Sequence, residues 1–464
     1  LKEVYIDRGI TQSRIAVFED NKIKDLYVEN YDNINITGNI YIGRVENIVP
    51  SLGAAFVNIG IGKNGILHIK EMENADKIKC NQEVIVQVIR EDTKDKGPKL
   101  TQKISIPGKF MVLLVGSDYI GISKKIIENE DRKKLKEKAK RVYVDNYGFI
   151  LRTEAQFVQE DDILKEYLFL ISLWEKNINK AVYIKPPRLL FDVRDFFGFA
   201  IREYIKGDVE KIYVNRKNDV EMIQNMISQH LHKKCEVISD EKIFIKASAI
   251  EKQITEILER KKLLPSGGNI IVDKTEALTV IDVNSGSIKT KDCKKQYILN
   301  TNIEACKVIS EAIRLGNISG IIIIDFIDMT DEQERQIIIE TLTENLSNDK
   351  VKIKIYGFTQ LGLLEMARAK KGKSLYELIL KQNSINTYTT AYVLKLIENQ
   401  CLKVLTHYKK SRIPIKINAD ILSEVKSRFS YFISDMKDIY GIEIHFNPSE
   451  TTEYFEVIKK KVEE

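Results

Sequence analysis

LPSGGNIIVDKTEALTVIDVNSGS (residues 264–287) and, after a helical segment, LGNISGIIIIDFIDM (residues 315–329) decide how this chain folds. Two apolar runs each end in an acidic residue, and short glycine-containing turns bound them. In TVIDVNSG, strand alternation puts Val280, Asp282 and Asn284 on one face and Thr279, Ile281 and Val283 on the other. The four isoleucines of IIIIDFIDM suit a strand buried on both faces. Between the runs the spacing of Ile303, Cys306, Ile309 and Ile313 predicts a helix, with Asn300 or Thr301 as cap and Gly316 as stop. Strand, helix, strand predicts a parallel pair, so both acidic ends emerge on one edge of an open α/β sheet. Ligands usually bind at that edge.

A carboxylate at a strand end is costly unless something positive meets it. Such groups often only cap turns, or pair with lysines such as those of SGSIKTKDCKK. The sharper reading is a hard-cation site. Magnesium takes oxygen ligands at roughly 2.0–2.1 Å, and one or two carboxylates plus a substrate phosphate often suffice. Asp282 and one of Asp325 or Asp328 would supply those ligands, and Asn284 could hydrogen-bond a phosphate oxygen. Alternation puts Asp325 and Asp328 on opposite faces, so only one should reach the ion. Spacing alone does not choose between them.

LPSGG, TEALTVIDVNSGS, NTNIEA, IIIIDFIDM and GLLEMAR together resemble the core motifs of the bacterial ribonuclease E/G family. Those are magnesium-dependent endoribonucleases of RNA decay and of rRNA and tRNA processing. The resemblance runs nearly the whole chain. It implies that Asp282 and Asp325 bind magnesium, with manganese as a substitute, and that Asn284 orients the scissile phosphate. Products would carry 5′-phosphate and 3′-hydroxyl ends. It also implies a multidomain α/β fold: an OB-fold β-barrel inserted in a ribonuclease-H-like domain, then a DNase I-like α/β catalytic domain and a small α+β domain. The expected boundaries are 1–36 and 191–262 for the split ribonuclease-H-like part, 37–105 for the barrel and 106–190 for a 5′-sensor domain. Residues 263–382 would form the catalytic domain and 383–464 the last one.

Composition agrees with this. The chain has 464 residues and 43% hydrophobic content, enough for several cores. A net charge of +6, from 73 basic and 67 acidic residues, permits a nucleic-acid partner without requiring one. No apolar run has membrane-spanning length, and LKEVYIDRGI has no signal-peptide pattern. Cysteines 80, 235, 293, 306 and 401 are scattered without CxxC spacing, which suits buried thiols in a reducing cytoplasm.

From the N-terminus, EVYIDRGITQSRIAVFEDNKIKDLYVEN reads as two short alternating segments meeting at the turn EDNK, which predicts a hairpin. Short strands with glycine turns then run from GNIYIGRVENIV to KLTQKI and predict a small closed barrel. Barrels of this type hold single-stranded RNA with aromatic and basic side chains. Phe56 and Lys96 sit where the family contacts RNA, although apart from that resemblance Phe56 reads more readily as barrel core. Ile66 replaces a second family aromatic, and Tyr41 and His68 are further candidates. The charge run from Lys124 to Arg141 reads as a solvated helix face.

FILRT (residues 149–153) is an apolar strand ending in Arg-Thr. Guanidinium plus hydroxyl suits a terminal phosphate, unless Arg152 only pairs with Glu154 or Asp161. The resemblance implies a sensor for an RNA 5′-monophosphate made of Gly108, Val112, Arg152 and Thr153.

Residues 186–264 alternate strands with amphipathic helices and read as structural, with no carboxylate cluster for ribonuclease-H chemistry. Lys352 matches a basic RNA contact of the family. Arg368 to Lys373 forms a basic cluster expected near the active edge, either binding phosphate or merely exposed. The family's CPxC zinc motif is absent from KGKSLYELILKQNSINTYTT, so no zinc is expected, and any homo-oligomer would not be zinc-linked. The sequence closes at KKKVEE, and no scaffold arm for other decay enzymes is expected. The expected function is a magnesium-dependent endoribonuclease on single-stranded RNA, stimulated by a 5′-monophosphate. The alternative is an RNA-binding protein of the same fold with little or no catalysis.

Overall fold

The structure is a computed structural model. It describes residues 2–458 except 32–35, 73–77, 91–96, 182, 193–195, 206–208, 231–234, 240–242, 287–293, 348, 382–386 and 409–410. Two compact units result, one from residues 1–34, 209–220 and 236–464, the other from 35–208 and 221–235.

In the first unit the N-terminal segment forms three antiparallel strands, Lys2–Arg8, Gln12–Glu19 and Lys22–Asn30, where the sequence suggested two. Lys2–Arg8 also pairs in parallel with Lys211–Val214, which in turn pairs with Glu236–Ile238, completing a five-stranded sheet. Asp7 on the first strand is fully buried and accepts from Lys395 Nζ at 2.7 Å, with Glu398 3.5 Å from the same ammonium. A charge buried this way is tolerable only when paired, so the Asp7 carboxylate holds the core rather than serving chemistry.

The six-stranded sheet runs in the order Lys261–Leu263, Asn269–Lys274, Leu278–Asn284, Gly320–Asp325, Leu364–Arg368, Ile353–Phe358. The strands Leu278–Asn284 and Gly320–Asp325 are parallel neighbours, as the strand–helix–strand pattern predicted. Ile281, Val283, Ile322 and Ile324 face Ile309, Ile313, Ile338 and Leu342 of helices Lys294–Leu315 and Glu332–Leu346. Burying each such isoleucine contributes roughly 1.5–3 kcal/mol over exposing it. The connecting helix begins by Lys294, so Asn300 and Thr301 lie inside it and cap nothing. Thr301 Oγ1 instead donates to the Tyr297 carbonyl one turn back. The last part of the unit is α+β: three strands, Arg412–Asn418 between Glu443–Ser449 and Phe455–Val457, with helices Thr390–Tyr408, Ala419–Arg428 and Tyr431–Tyr440.

The second unit contains a closed five-stranded barrel. Ile40–Val49, Ala54–Asn58, Gly65–His68, Lys99–Thr101 and Glu83–Arg90 pair in that order, and the last returns to the first. A four-stranded sheet follows, ordered Ser117–Ile122, Tyr147–Leu151, Met111–Val115, Ser105–Pro107. Helices Asn129–Val142 and Glu160–Ala181 contribute Leu135, Ala139, Ile163, Tyr167 and Trp174 to its core. Among the described cysteines, Cys235, Cys306 and Cys401 are buried, while Cys80 is exposed, contrary to the expectation for it. No helix among the described residues is long and apolar enough to cross a membrane.

Candidate functional site

Parallel pairing sets Asp282 directly opposite Asp325 in the register of the two central strands. Both belong to the face turned away from the helices, because their neighbours Ile281, Val283 and Ile324 fill the core. Asn284 Nδ2 donates to Asp282 Oδ2 at 2.7 Å, which fixes that carboxylate. The glycine loop before strand Asn269–Lys274 packs against the end of Leu278–Asn284. A Cβ on Gly286 would lie 2.8 Å from the backbone carbonyl of Gly267, and one on Gly268 would lie 2.6 Å from the Asn284 carbonyl oxygen. Only glycine allows the LPSGG loop to lie this close to the acidic edge. Glu304 ties the same loop down by accepting from the Ser266 N–H at 2.9 Å.

Asp325 ends its strand, so the alternation that separated it from Asp328 stops there. That expectation is corrected: Asp328 lies in the following loop, and its charge acts on Asp325. Partial burial first, then the charges of Asp282 and Asp328, push the Asp325 carboxyl above its ordinary value. Crowded carboxylates of this kind are what a hard cation relieves. Among the described residues no group of three or more His, Cys, Asp or Glu side chains could hold an ion. Two protein carboxylates completed by water and substrate phosphate is the arrangement that suits magnesium. Asn302, fully buried, holds the loop: its Nδ2 donates to the Ile327 carbonyl at 2.9 Å and its Oδ1 accepts from the Ile327 N–H at 3.2 Å. The sequence reading missed Asn302 and Glu304. Both sit in the NTNIEA motif it had quoted, on a helix it began too late.

The basic cluster at Arg368 is a second correction. Antiparallel pairing puts Arg368 opposite Gly320, at the end of the strand farthest from Asp325. Its guanidinium is buried and binds Asp349 through Nε and Nη2 at 3.0 and 3.1 Å, and Asn317 through Nη1 at 2.7 Å. Lys352 is exposed just before the edge strand Ile353–Phe358, toward this same end of the sheet.

In the second unit the four proposed sensor residues come together. Arg152 Nη1 donates to the Gly108 carbonyl at 2.7 Å, and Val112 pairs with Ile150, two residues before Arg152. Thr153 opens the turn of helix Thr153–Phe157. The carboxylate paired with Arg152 is Glu203, at 2.9 Å, not the suggested Glu154 or Asp161. Gly108 is needed sterically, since its Cβ would lie 2.8 Å from the Glu166 carboxyl carbon. Glu166 accepts from the backbone N–H groups of Lys109 and Phe110 at 2.6 and 2.7 Å, and burial pushes its carboxyl up. On the barrel, Ala55 and Val57 point into the core while Phe56, half-buried between them, alternates outward and faces Ile66 across the strand pair. Tyr41 is a core residue and His68 is exposed. Lys96 lies outside the described residues.

Residues 35–103 match the S1 RNA binding domain, so the barrel is an OB-fold and the chain is an RNA-binding protein carrying a separate acidic centre. Residues 105–371 match the Ribonuclease E/G family model, and the chain belongs to the ribonuclease E/G family. It is 27% identical to ribonuclease G of Escherichia coli (strain K12) over 98% of this chain and 99% of that one. With ribonuclease G of Haemophilus influenzae it shares 30% identity over 85% of this chain and 84% of the relative. Ribonuclease E of Synechocystis sp. is 35% identical over 78% of this chain and 56% of its own length.

Proposed function

We propose that this chain cuts single-stranded RNA internally by metal-assisted hydrolysis at Asp282 and Asp325, leaving 5′-phosphate and 3′-hydroxyl ends. Its standing as an endoribonuclease follows from family membership. The register pairing of the two aspartates is the observation that carries the site. We assign magnesium, with manganese as a substitute, as the ion; when bound it would activate a water and stabilise charge on the phosphorane. Asp282 and Asp325 would hold it, Asn284 keeps Asp282 oriented and would hydrogen-bond a phosphate oxygen, and Asn302 steadies the loop that follows Asp325. In this reading the sheet is the DNase I-like catalytic domain and the barrel grips the strand. Arg152 with Thr153 binds a 5′-monophosphate, once phosphate replaces part of the Glu203 pairing. RNA decay and maturation of rRNA and tRNA are the processes this activity would serve.

The test is an A/U-rich single-stranded RNA carrying a 5′-monophosphate, 5′-hydroxyl or 5′-triphosphate, incubated with magnesium and then with EDTA. Internal cleavage that needs magnesium and runs faster on the monophosphate supports site and sensor together. In Arg152→Ala the rate ratio between monophosphate and hydroxyl substrates should fall to near one. Tight binding with no cleavage under any divalent ion would refute the catalytic assignment.

A further inference from the structure

One face of the six-stranded sheet packs on its two helices, and the other is open. Ile321 is 54% exposed, and Val280 and Ile323 are half-exposed, on the face that also bears Asp282 and Asp325. Cross-strand register extends this face to the edge of the sheet, where Ile321 stands opposite Ala367 and Ala367 opposite Lys354. Directly opposed residues point to the same side. Lys354 and Tyr356 therefore share a face with the acidic pair, while Ile353, Ile355 and Phe358 join the helix side.

The edge strand carries a bulge at the residue that matters. Ile355 pairs with Met366 and Gly357 with Glu365, so Tyr356 has no partner of its own. Gly357 sits at φ 113°, a conformation that side-chain-bearing residues rarely adopt. Bulges re-aim side chains, and Tyr356 is 59% exposed with the Lys354 ammonium 4.4 Å from its ring centre. Lysines on an edge strand are ordinary protection against sheet-to-sheet association. An exposed tyrosine beside bare isoleucines works against that protection and needs another reason.

We propose that Tyr356 and Lys354 form a track for the RNA strand leading across the open face to Asp282 and Asp325. Tyr356 stacks a base, and Lys354 meets a phosphate. The inference rests on RNA being the substrate. Tyr356 is two strands across from Asp325 and about two residues down, which from strand spacings is roughly 12 Å. That is a distance a few nucleotides span. Glu365 stands on the same face between them and repels phosphates, which directs the backbone toward the lysine side.

The experiment measures equilibrium binding of a short fluorescent single-stranded oligoribonucleotide to the full chain in EDTA, with 4-thiouridine crosslinks mapped by mass spectrometry. Tyr356→Ala should weaken binding about 5- to 150-fold, the range for losing one stacked base. Tyr356→Phe, which keeps the ring, should restore it. Removing the lysine (Lys354→Ala) should lower the slope of log affinity against log salt by about 0.7. Crosslinks should map to residues 352–358. If the unaltered chain binds and cuts RNA while these variants bind identically and no crosslink falls there, the track is wrong and the proposed function stands. If the unaltered chain neither binds nor cuts RNA, the proposed function fails and the track with it. If Tyr356→Ala changes sedimentation but not RNA affinity, the face is a subunit contact and the proposal is overturned.

Discussion

Replacing Asn302 with alanine would test whether the acidic edge depends on a buried amide one layer behind it. Both amide atoms bind the backbone of Ile327. Alanine leaves the Ile327 N–H and carbonyl without partners in a half-buried loop. Each such loss costs about 1–3 kcal/mol, and some water access to the loop brings the expected total to about 2–4 kcal/mol. Trp174, the one tryptophan, lies in the other unit, so its fluorescence reports that unit and serves as an internal control. Hydrogen exchange read by mass spectrometry should show residues 326–331 opening about 30- to 900-fold more often, from 1.36 kcal/mol per tenfold. The urea midpoint of Trp174 should not move. Cleavage should fall by about tenfold to a hundredfold, because loosening this loop misplaces Asp325. Unchanged exchange at 326–331 would refute the argument, and so would altered exchange with full turnover.

Asp282→Asn and Asp325→Asn should each cut metal-dependent cleavage by at least about a hundredfold while RNA affinity in EDTA holds, compared by turnover and anisotropy. The raised Asp325 carboxyl gives a pH signature. Its folded value lies above its unfolded one, so the metal-free protein should lose stability as pH rises from the unfolded value through the folded one. Asp325→Asn should flatten that slope in acid titrations followed by circular dichroism. Gly286→Ala drives a methyl into the Gly267 backbone at 2.8 Å, and it should cost about 1–3 kcal/mol and displace the LPSGG loop, read from thermal melting and cleavage together. Arg368→Ala strands the buried Asp349 carboxylate and should destabilise the sheet by about 3–5 kcal/mol in hydrogen exchange of residues 318–325.

The central pattern was legible because it is local. Alternation put Asp282 and Asn284 on one face, the isoleucine run marked a buried strand, and a helix between two strands implied parallel pairing. Each follows from side-chain period alone. The same tool failed where an element ended. It separated Asp325 from Asp328 by extending alternation past the last residue of the strand, and it started the connecting helix several residues late. Choosing Asp325 over Asp328 took resemblance to a family, not periodicity.

By itself, then, the sequence determined which residues share a face, where the acidic strand ends lie and that glycine must bound them. Tertiary structure alone decided which partners they meet. Arg368 looked like one of a basic run near the active edge, binding phosphate or exposed, yet antiparallel register carries it to the far end of the sheet and onto Asp349. Arg152 found Glu203, 51 residues away, instead of a nearby acid. Tyr356 stands without a cross-strand partner because one strand has a residue more than its neighbour. Register, bulges and ion-pair partners arise from contacts between segments remote in the chain, and no local period encodes them.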